Sequence, residues 1–220
     1  LVDTRAESTT GAVRLSVKPD SAPIVTLGAI SGLAQVRVFT ATGAVDTSFS
    51  DDGLATVPNP GGNHWQLGAD VDSAGRLYVF TADANTVTGA RYLTDGSIDP
   101  GYAVSLTNAR IGSGVLNMLV TDQGQIIGAT RTAIFRVNAD GAADTTFDDD
   151  GVADLGTDSD GRLVLAPDGI YTRTYFRFTN YGVVKLIEEP PAFLNPGNGI
   201  LRINGTADAD TISVRRMGSE

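Results

Sequence analysis

Short runs of apolar or alternating residues, separated by aspartate and glycine, recur along this chain of 220 residues. Residues 13–17 alternate between apolar and polar side chains, and residues 77–80 are apolar without interruption. Alternation predicts a strand with one buried face, whereas a short apolar run between turn residues predicts a strand that is buried on both faces. The pattern therefore predicts an all-β protein.

Pairs of these predicted strands are joined by turns that contain an aspartate. The turns lie at Asp20, Asp72, Asp122 and Asp160, and a glycine stands close to the last three. An aspartate side chain bonds to the backbone of its own turn, and a glycine adopts the positive φ that a tight turn needs. We therefore predict a β-hairpin at each of these four places.

A second motif follows each hairpin, and three copies of it align. Each copy has an arginine, a later aspartate, and an aromatic residue three positions after that aspartate. The aligned residues are Arg37, Asp46 and Phe49, then Arg91, Asp99 and Tyr102, then Arg136, Asp144 and Phe147. A weaker fourth copy starts at Arg177 and has Lys185 where the aspartate would stand.

One repeat unit is predicted to contain four strands. It runs as a strand, a tight turn, a second strand, a variable loop, a third strand that ends in the motif, and an edge strand. Four strands in ~40–55 residues are typical of a β-propeller blade, that is, one sheet of a radial stack. A small twisted sheet cannot cover both of its own faces, but stacked sheets cover each other. We predict a propeller-like array of about four small antiparallel blades over residues 1–188.

The motif residues are predicted to be structural. We expect the arginine and the aspartate of each copy to pair at a corner of the blade. The aromatic residue that follows is expected to pack against the next blade. No catalytic role is assigned to any of the nine aligned positions.

The motif resembles the delta-60 repeat, which occurs in secreted and surface proteins of bacteria. The copy from Arg136 to Phe147 matches best, with Asp140, Gly141 and Asp144 at the pattern's positions. The resemblance covers roughly residues 12–188. It implies a propeller-like fold and no catalytic residues. Four units make either a compact four-bladed propeller or a part of a larger one.

The segment after residue 188 has a different composition. Prolines and glycines in residues 189–199 predict a linker. Residues 200–220 are predicted to begin a downstream β segment with a short hairpin. They resemble an RTX-type calcium-binding module, in which Asp208 and Asp210 would be metal ligands; a plain hairpin without calcium is the competing interpretation.

Composition narrows the functional classes. Of the 26 acidic residues 22 are Asp, and 14 of the 16 basic residues are Arg. Aspartate favours turns, whereas helix surfaces are typically rich in Glu and Lys. The net charge of −10 opposes nucleic-acid binding, and no apolar run approaches the ~20 residues of a membrane-spanning helix. The chain has no cysteine, which excludes disulfides and thiolate metal sites.

Two loop residues are the other candidates for ligand binding. His64 is the sole histidine, so it cannot anchor a typical transition-metal site. Trp65 beside it is interpreted as packing, with a sugar-stacking role as the alternative. The runs at residues 51–53 and 148–151 are interpreted as solvated turns rather than calcium loops, because they lack the spacing of an EF-hand.

These observations predict a non-catalytic structural or interaction module of a secreted or cell-surface bacterial protein. We expect no cofactor, no membrane insertion, and a monomer or a part of a larger multidomain chain. The alternatives are a carbohydrate- or protein-binding head that uses loops at residues 58–65 and 83–88, and a lactonase-type metal-dependent hydrolase. The only glutamates are near the chain ends or in the predicted linker, which disfavours the hydrolase: Glu7, Glu188, Glu189 and Glu220.

Overall fold

Strands and turns make up the described part of this protein, and no helix occurs there. The computed structural model describes residues 14–17, 23–30, 33–57, 67–83, 85–112, 114–115, 117–156, 158–166, 169–176, 180–186, 193–194 and 201–202. Accordingly, no helix in these ranges is long and apolar enough to cross a membrane.

The chain forms successive antiparallel sheets in which neighbouring strands are consecutive in sequence. The first sheet contains β1 (Arg14–Val17), β2 (Pro23–Ile30), β3 (Leu33–Val38) and β4 (Leu54–Val57). The second contains β5 (Leu67–Val71), β6 (Leu77–Asp83), β7 (Thr86–Tyr92) and β8 (Ile98–Thr107). The third contains β9 (Asn117–Val120), β10 (Ile126–Ala129), β11 (Ala133–Val137) and β12 (Val152–Asp154).

A fourth sheet has three strands: β13 (Asp158–Ala166), β14 (Gly169–Phe176) and β15 (Asn180–Leu186). The first strand of each of the first three sheets contacts the first strand of the next sheet. This stacking of each sheet on the next is the arrangement of a propeller. The prediction of an all-β, propeller-like array of about four small antiparallel sheets is confirmed.

Stacking explains why β6 is apolar at successive positions. Leu77 and Val79 belong to the buried cluster between the first and second sheets. Tyr78 and Phe80 point the other way, into the cluster between the second and third sheets. Because side chains alternate along a strand, only a sheet with neighbours on both faces can bury all four residues.

Glycine–aromatic pairs repeat in the second and third sheets. Phe80 on β6 is directly opposite Gly89, and Phe135 on β11 is directly opposite Gly128. A Cβ atom on Gly128 would lie 2.0 Å from the Phe135 ring, so only glycine leaves room for the ring to lie across the neighbouring strand. The two phenylalanine rings stack between the sheets with centroids 6.1 Å apart.

The fourth sheet differs from the expected four-strand unit. The predicted turn at residues 158–161 lies inside β13, where the pairing with β14 is irregular between Ser159 and Leu163. The preceding residues already form β12, the last strand of the third sheet. Too few residues remain between β12 and β13 for a first strand, so the fourth sheet starts with what would be the second.

Two other segments differ from the sequence interpretation. The variable loop expected at residues 83–88 is the end of a hairpin, because β6 and β7 pair as far as Asp83 opposite Thr86. Within the predicted linker, β16 (Phe193–Leu194) pairs with β17 (Leu201–Arg202) in an antiparallel ladder.

Candidate functional site

Arg91 and Asp99 form an ion pair at the corner of the second sheet. Two guanidinium nitrogens of Arg91, Nε and Nη2, lie 2.9 and 2.7 Å from Asp99 Oδ2. The central guanidinium carbon lies 4.5 Å from the centroid of the Tyr102 ring. Arginine, aspartate and aromatic residue of one motif copy therefore contact each other.

The third sheet repeats this corner. Arg136 Nε donates to Asp144 Oδ2 at 2.8 Å, and its guanidinium carbon lies 4.9 Å from the Phe147 ring centroid. Arg136 also donates to the Thr146 hydroxyl. Arg136 and Asp144 are both buried. A paired charge of this kind holds a corner in one geometry because removing either partner leaves the other uncompensated.

Hydrogen bonds keep both corner aspartates ionised. The pKa of Asp99 is lowered mainly by the hydrogen bond from the Gly101 amide and next by the hydrogen bond from Arg91. For Asp144 burial alone would raise the pKa, but bonds from Thr146 together with Arg136 outweigh it and lower the pKa. These carboxylates are fixed acceptors rather than groups poised to exchange protons near neutral pH.

The first copy of the motif lies on the first sheet. Arg37 and Asp46 stand at the corresponding positions, and Asp46 accepts hydrogen bonds from the amide and hydroxyl of Ser48. Phe49 is 2% exposed and lies with its ring centroid 6.4 Å from that of Tyr92, on the second sheet.

Each motif aromatic lies between two sheets. Phe49 belongs to the cluster between the first and second sheets, and Tyr102 to the cluster between the second and third. Phe147 packs with residues of the third and fourth sheets. In the second and third sheets the motif arginine and aspartate thus form corners, and all three motif aromatics pack between sheets.

The motif glycine also contacts the preceding sheet, a role that the sequence did not reveal. A Cβ atom on Gly96 would lie 2.4 Å from the backbone nitrogen of Ser50, and one on Gly141 would lie 2.8 Å from the Ala103 oxygen. Ser50 and Ala103 each stand four positions after a motif aspartate. At Gly43, the same position in the first copy, no described atom lies within 4 Å of such a Cβ.

The aspartate-rich turn after Phe147 binds an arginine. Arg110 Nη1 donates to Asp148 Oδ2 at 2.6 Å, and Arg110 Nη2 pairs with Asp150. Asn108 donates to Asp150 as well. Partial burial alone would lower the pKa of Arg110, but the bonds to both aspartates raise it. This turn is not simply solvated: it fastens the third sheet to the segment that follows β8.

A polar cleft of about 160 Å³ lies between the second and third sheets. It opens where the hairpin turns of residues 72–76 and 121–125 face each other. Buried Asp72 and Tyr78 contribute to its lining together with the corner residue Arg91. Arg76 contributes a half-exposed side chain, 37% accessible to solvent.

The remaining predicted ligand-binding residues lie outside the described ranges. These are His64, Trp65, Asp208 and Asp210. Within the described ranges no group of three or more His, Cys, Asp or Glu side chains is arranged to hold a metal ion.

Comparison with known proteins agrees with the fold. The sequence model of a family described as a domain of unknown function (DUF5122) with a β-propeller fold matches residues 123–147. This segment runs from the turn before β10 to the aromatic residue of the third motif copy. No curated protein matches the chain.

Two solved structures resemble this one. A protein of unknown function from Bacteroides caccae matches with 8% identity and a TM-score of 0.50 over 88% of this chain. The chain spans 60% of that protein's length. A streptogramin B lyase matches with 11% identity and a TM-score of 0.42, over 81% of this chain and 70% of its own. The sheets and the family match together define the class, a β-propeller-type domain.

Proposed function

We propose that this chain is a non-catalytic structural or interaction module of a secreted or cell-surface bacterial protein. The observation that carries the proposal is the use of the repeated polar residues. In the second and third sheets the motif arginine and aspartate are bound to each other and packed against an aromatic ring. Their charges serve the corners of the fold, which supports a scaffold rather than an active site.

The resemblance to the delta-60 repeat supports the location in a secreted or cell-surface protein. The positions of the glutamates and the single histidine support the lack of catalysis. Lactonase-type hydrolysis on a propeller would need a metal and carboxylates converging on it. The glutamates of this chain stand at Glu7, Glu188, Glu189 and Glu220. His64 offers a single imidazole, too few for a typical transition-metal centre.

Turnover assays test the proposal. The full chain, with and without added Ca²⁺, Mg²⁺ or Zn²⁺, is incubated with lactones, sugar esters and aryl glycosides. We expect rates that match the buffer control for every substrate. Saturable turnover that a single substitution abolishes, without lowering the melting temperature, would contradict the proposal and favour the hydrolase alternative.

A carbohydrate- or protein-binding head is the second candidate. The polar cleft between the second and third sheets favours it, because ligand sites combine a concave surface with a few convergent polar groups. A glycan array probed with the parent chain and with Trp65→Ala separates two locations for such binding. Loss of a signal in the variant would place the ligand at the loop of residues 58–65, and an unchanged signal would place it elsewhere.

A further inference from the structure

The cleft between the second and third sheets has a rigid, hydrogen-bonded floor. Asp72 Oδ1 accepts from the amides of Ala74 and Arg76, at 3.0 and 2.9 Å. Asp72 Oδ2 accepts from Arg76 Nε at 2.6 Å and from the Tyr78 hydroxyl at 3.3 Å. Both carboxylate oxygens are therefore fully used. Tyr78 is completely buried and Asp72 is 7% exposed, so the floor is held in place before any ligand arrives.

The arginines of the cleft keep donors that the described residues do not use. Within the described part, Arg76 binds Asp72 only through Nε, and neither of its terminal nitrogens donates a hydrogen bond. Arg91 directs Nε and Nη2 to Asp99, while its Nη1 makes only a long bond of 3.4 Å to the Tyr78 hydroxyl. The cleft thus has guanidinium donors that are not used within the described part, beside the Asp72 carboxylate, whose two oxygens already accept hydrogen bonds.

We propose that this cleft binds the carboxylate of a small hydroxylated acid, of the sugar-acid kind. The inference deepens the proposed interaction role and rests on it. Guanidinium groups bind planar carboxylates through charge-assisted, often bidentate, hydrogen bonds. Arg76 is accessible at the wall, and Arg91 lies deeper beside Tyr78.

Negative charge around the cleft opposes an anionic ligand, and the two arginines offset it at short range. The whole chain carries −10, and Asp122 stands exposed on the rim of the cleft. Repulsion from these charges is screened over about 8 Å at physiological salt, whereas the two arginines act at contact distance. A dianion such as phosphate would double both this repulsion and the attraction to the arginines.

The neutral part of the lining suits hydroxyl groups. Thr121 and Gln123 offer side chains that both donate and accept hydrogen bonds. A volume of 160 Å³ equals about five water molecules at their liquid volume. Drug-sized ligands occupy larger pockets, of about 300 Å³ or more. The cleft therefore fits one small acid, or one acidic residue of a longer chain.

The test is an NMR titration of the ¹⁵N-labelled full chain with glucuronate. The methyl ester of glucuronate is the matched neutral probe, and inorganic phosphate is the dianion. We follow the amide signals of Gly75 and Gly124, which lie in the two turns that border the cleft. The variant is Arg76→Gln, and the control is Arg131→Gln, an exposed arginine on the turn at the opposite end of the third sheet.

We expect glucuronate to shift both glycine signals with a dissociation constant on the order of 1 mM. Arg76→Gln should weaken binding by ~10-fold or more, Arg131→Gln should leave it unchanged, and added salt should weaken it. Equal binding of the methyl ester, or tighter binding of phosphate, overturns the proposal, as does the lack of any saturable shift. None of these results touches the non-catalytic role, which fails only if the added acid or ester is converted to product.

Discussion

The substitution Gly96→Ala tests whether the motif glycine is required by the contact between sheets. Gly96 has φ +84°, and a Cβ atom there would lie 2.4 Å from the backbone nitrogen of Ser50 on the preceding sheet. The first sheet provides a matched control, because Gly43 has φ +85° and no described atom within 4 Å of an added Cβ. Both substitutions place alanine in the left-handed region, but only one drives it into a neighbour.

The expected magnitudes follow from these two terms. Left-handed backbone costs a non-glycine residue about 1–2 kcal/mol, and this cost applies to Gly43→Ala and Gly96→Ala alike. Overpacking against backbone, which cannot move aside as a flexible side chain can, adds about 1–3 kcal/mol at Gly96 alone. We therefore expect Gly96→Ala to lower the free energy of unfolding by about 2–5 kcal/mol.

Urea unfolding followed by circular dichroism measures both variants against the parent chain. The decisive quantity is the difference between the midpoints of the two variants at an unchanged m-value. In thermal unfolding each 1 kcal/mol corresponds to about 2–4 °C for a chain of this length. Equal destabilisation by the two alanines would show that the glycine serves the turn only, and the argument from sheet contact would be wrong.

Three further predictions address other contacts. Burial raises the pKa of Asp70 despite a hydrogen bond from the Val120 amide, so ionisation of Asp70 favours the unfolded chain as pH rises above the ordinary value of 3.8. Asp70→Asn should therefore be more stable than the parent at neutral pH and should lose this advantage in acid. Urea midpoints measured at both pH values would show the difference. Arg110→Ala should lower the free energy of unfolding by about 1–3 kcal/mol and make the stability of the variant depend on calcium. Calcium should change the melting temperature of the parent only modestly. A rise of tens of degrees in the parent would contradict this prediction. Phe135→Ala should cost about 3–5 kcal/mol in urea unfolding, because it empties the space above Gly128; a loss below 1 kcal/mol would mean that the cluster is loosely packed.

The number of stacked sheets could be predicted from the sequence because it depends on local, repeated chemistry. An aspartate and a glycine close a turn wherever they stand between β-branched runs. An arginine and an aspartate recur at similar separation in the sequence, and in the second and third sheets they face each other. Asp99 and Asp144 could thus be assigned to corners without knowledge of the rest of the chain.

The three-stranded fourth sheet could not be predicted from its turn signal. Residues 158–161 carry the same aspartate and glycine as the other hairpins. What differs is the length of chain before them, which β12 has already used. A local signal gives a turn propensity, but the pairing of strands depends on which segments are still available.

Contacts between residues that are distant in sequence could not be predicted from the sequence either. Arg110 belongs to no repeated motif, and its two aspartates are about forty positions away. The cleft between the second and third sheets combines two hairpin turns that are also far apart in the chain. Its arginines look in sequence like ordinary turn and corner residues, and only the folded arrangement shows that both line one cleft.

The contacts of Gly96 and Gly141 with the preceding sheet have a consequence for how the chain unfolds. Successive sheets contact each other through clusters of buried side chains, so stability is approximately a sum of sheet terms and nearest-neighbour terms, as in a one-dimensional array. Damage at one interface then weakens two sheets and leaves distant ones intact. Among the four stacked sheets, the fourth has the fewest strands in the part of the chain that the structure describes, and its Val183 is 72% exposed. In hydrogen exchange the amides of this sheet should therefore exchange first and those of the neighbouring sheets later, rather than all at one rate.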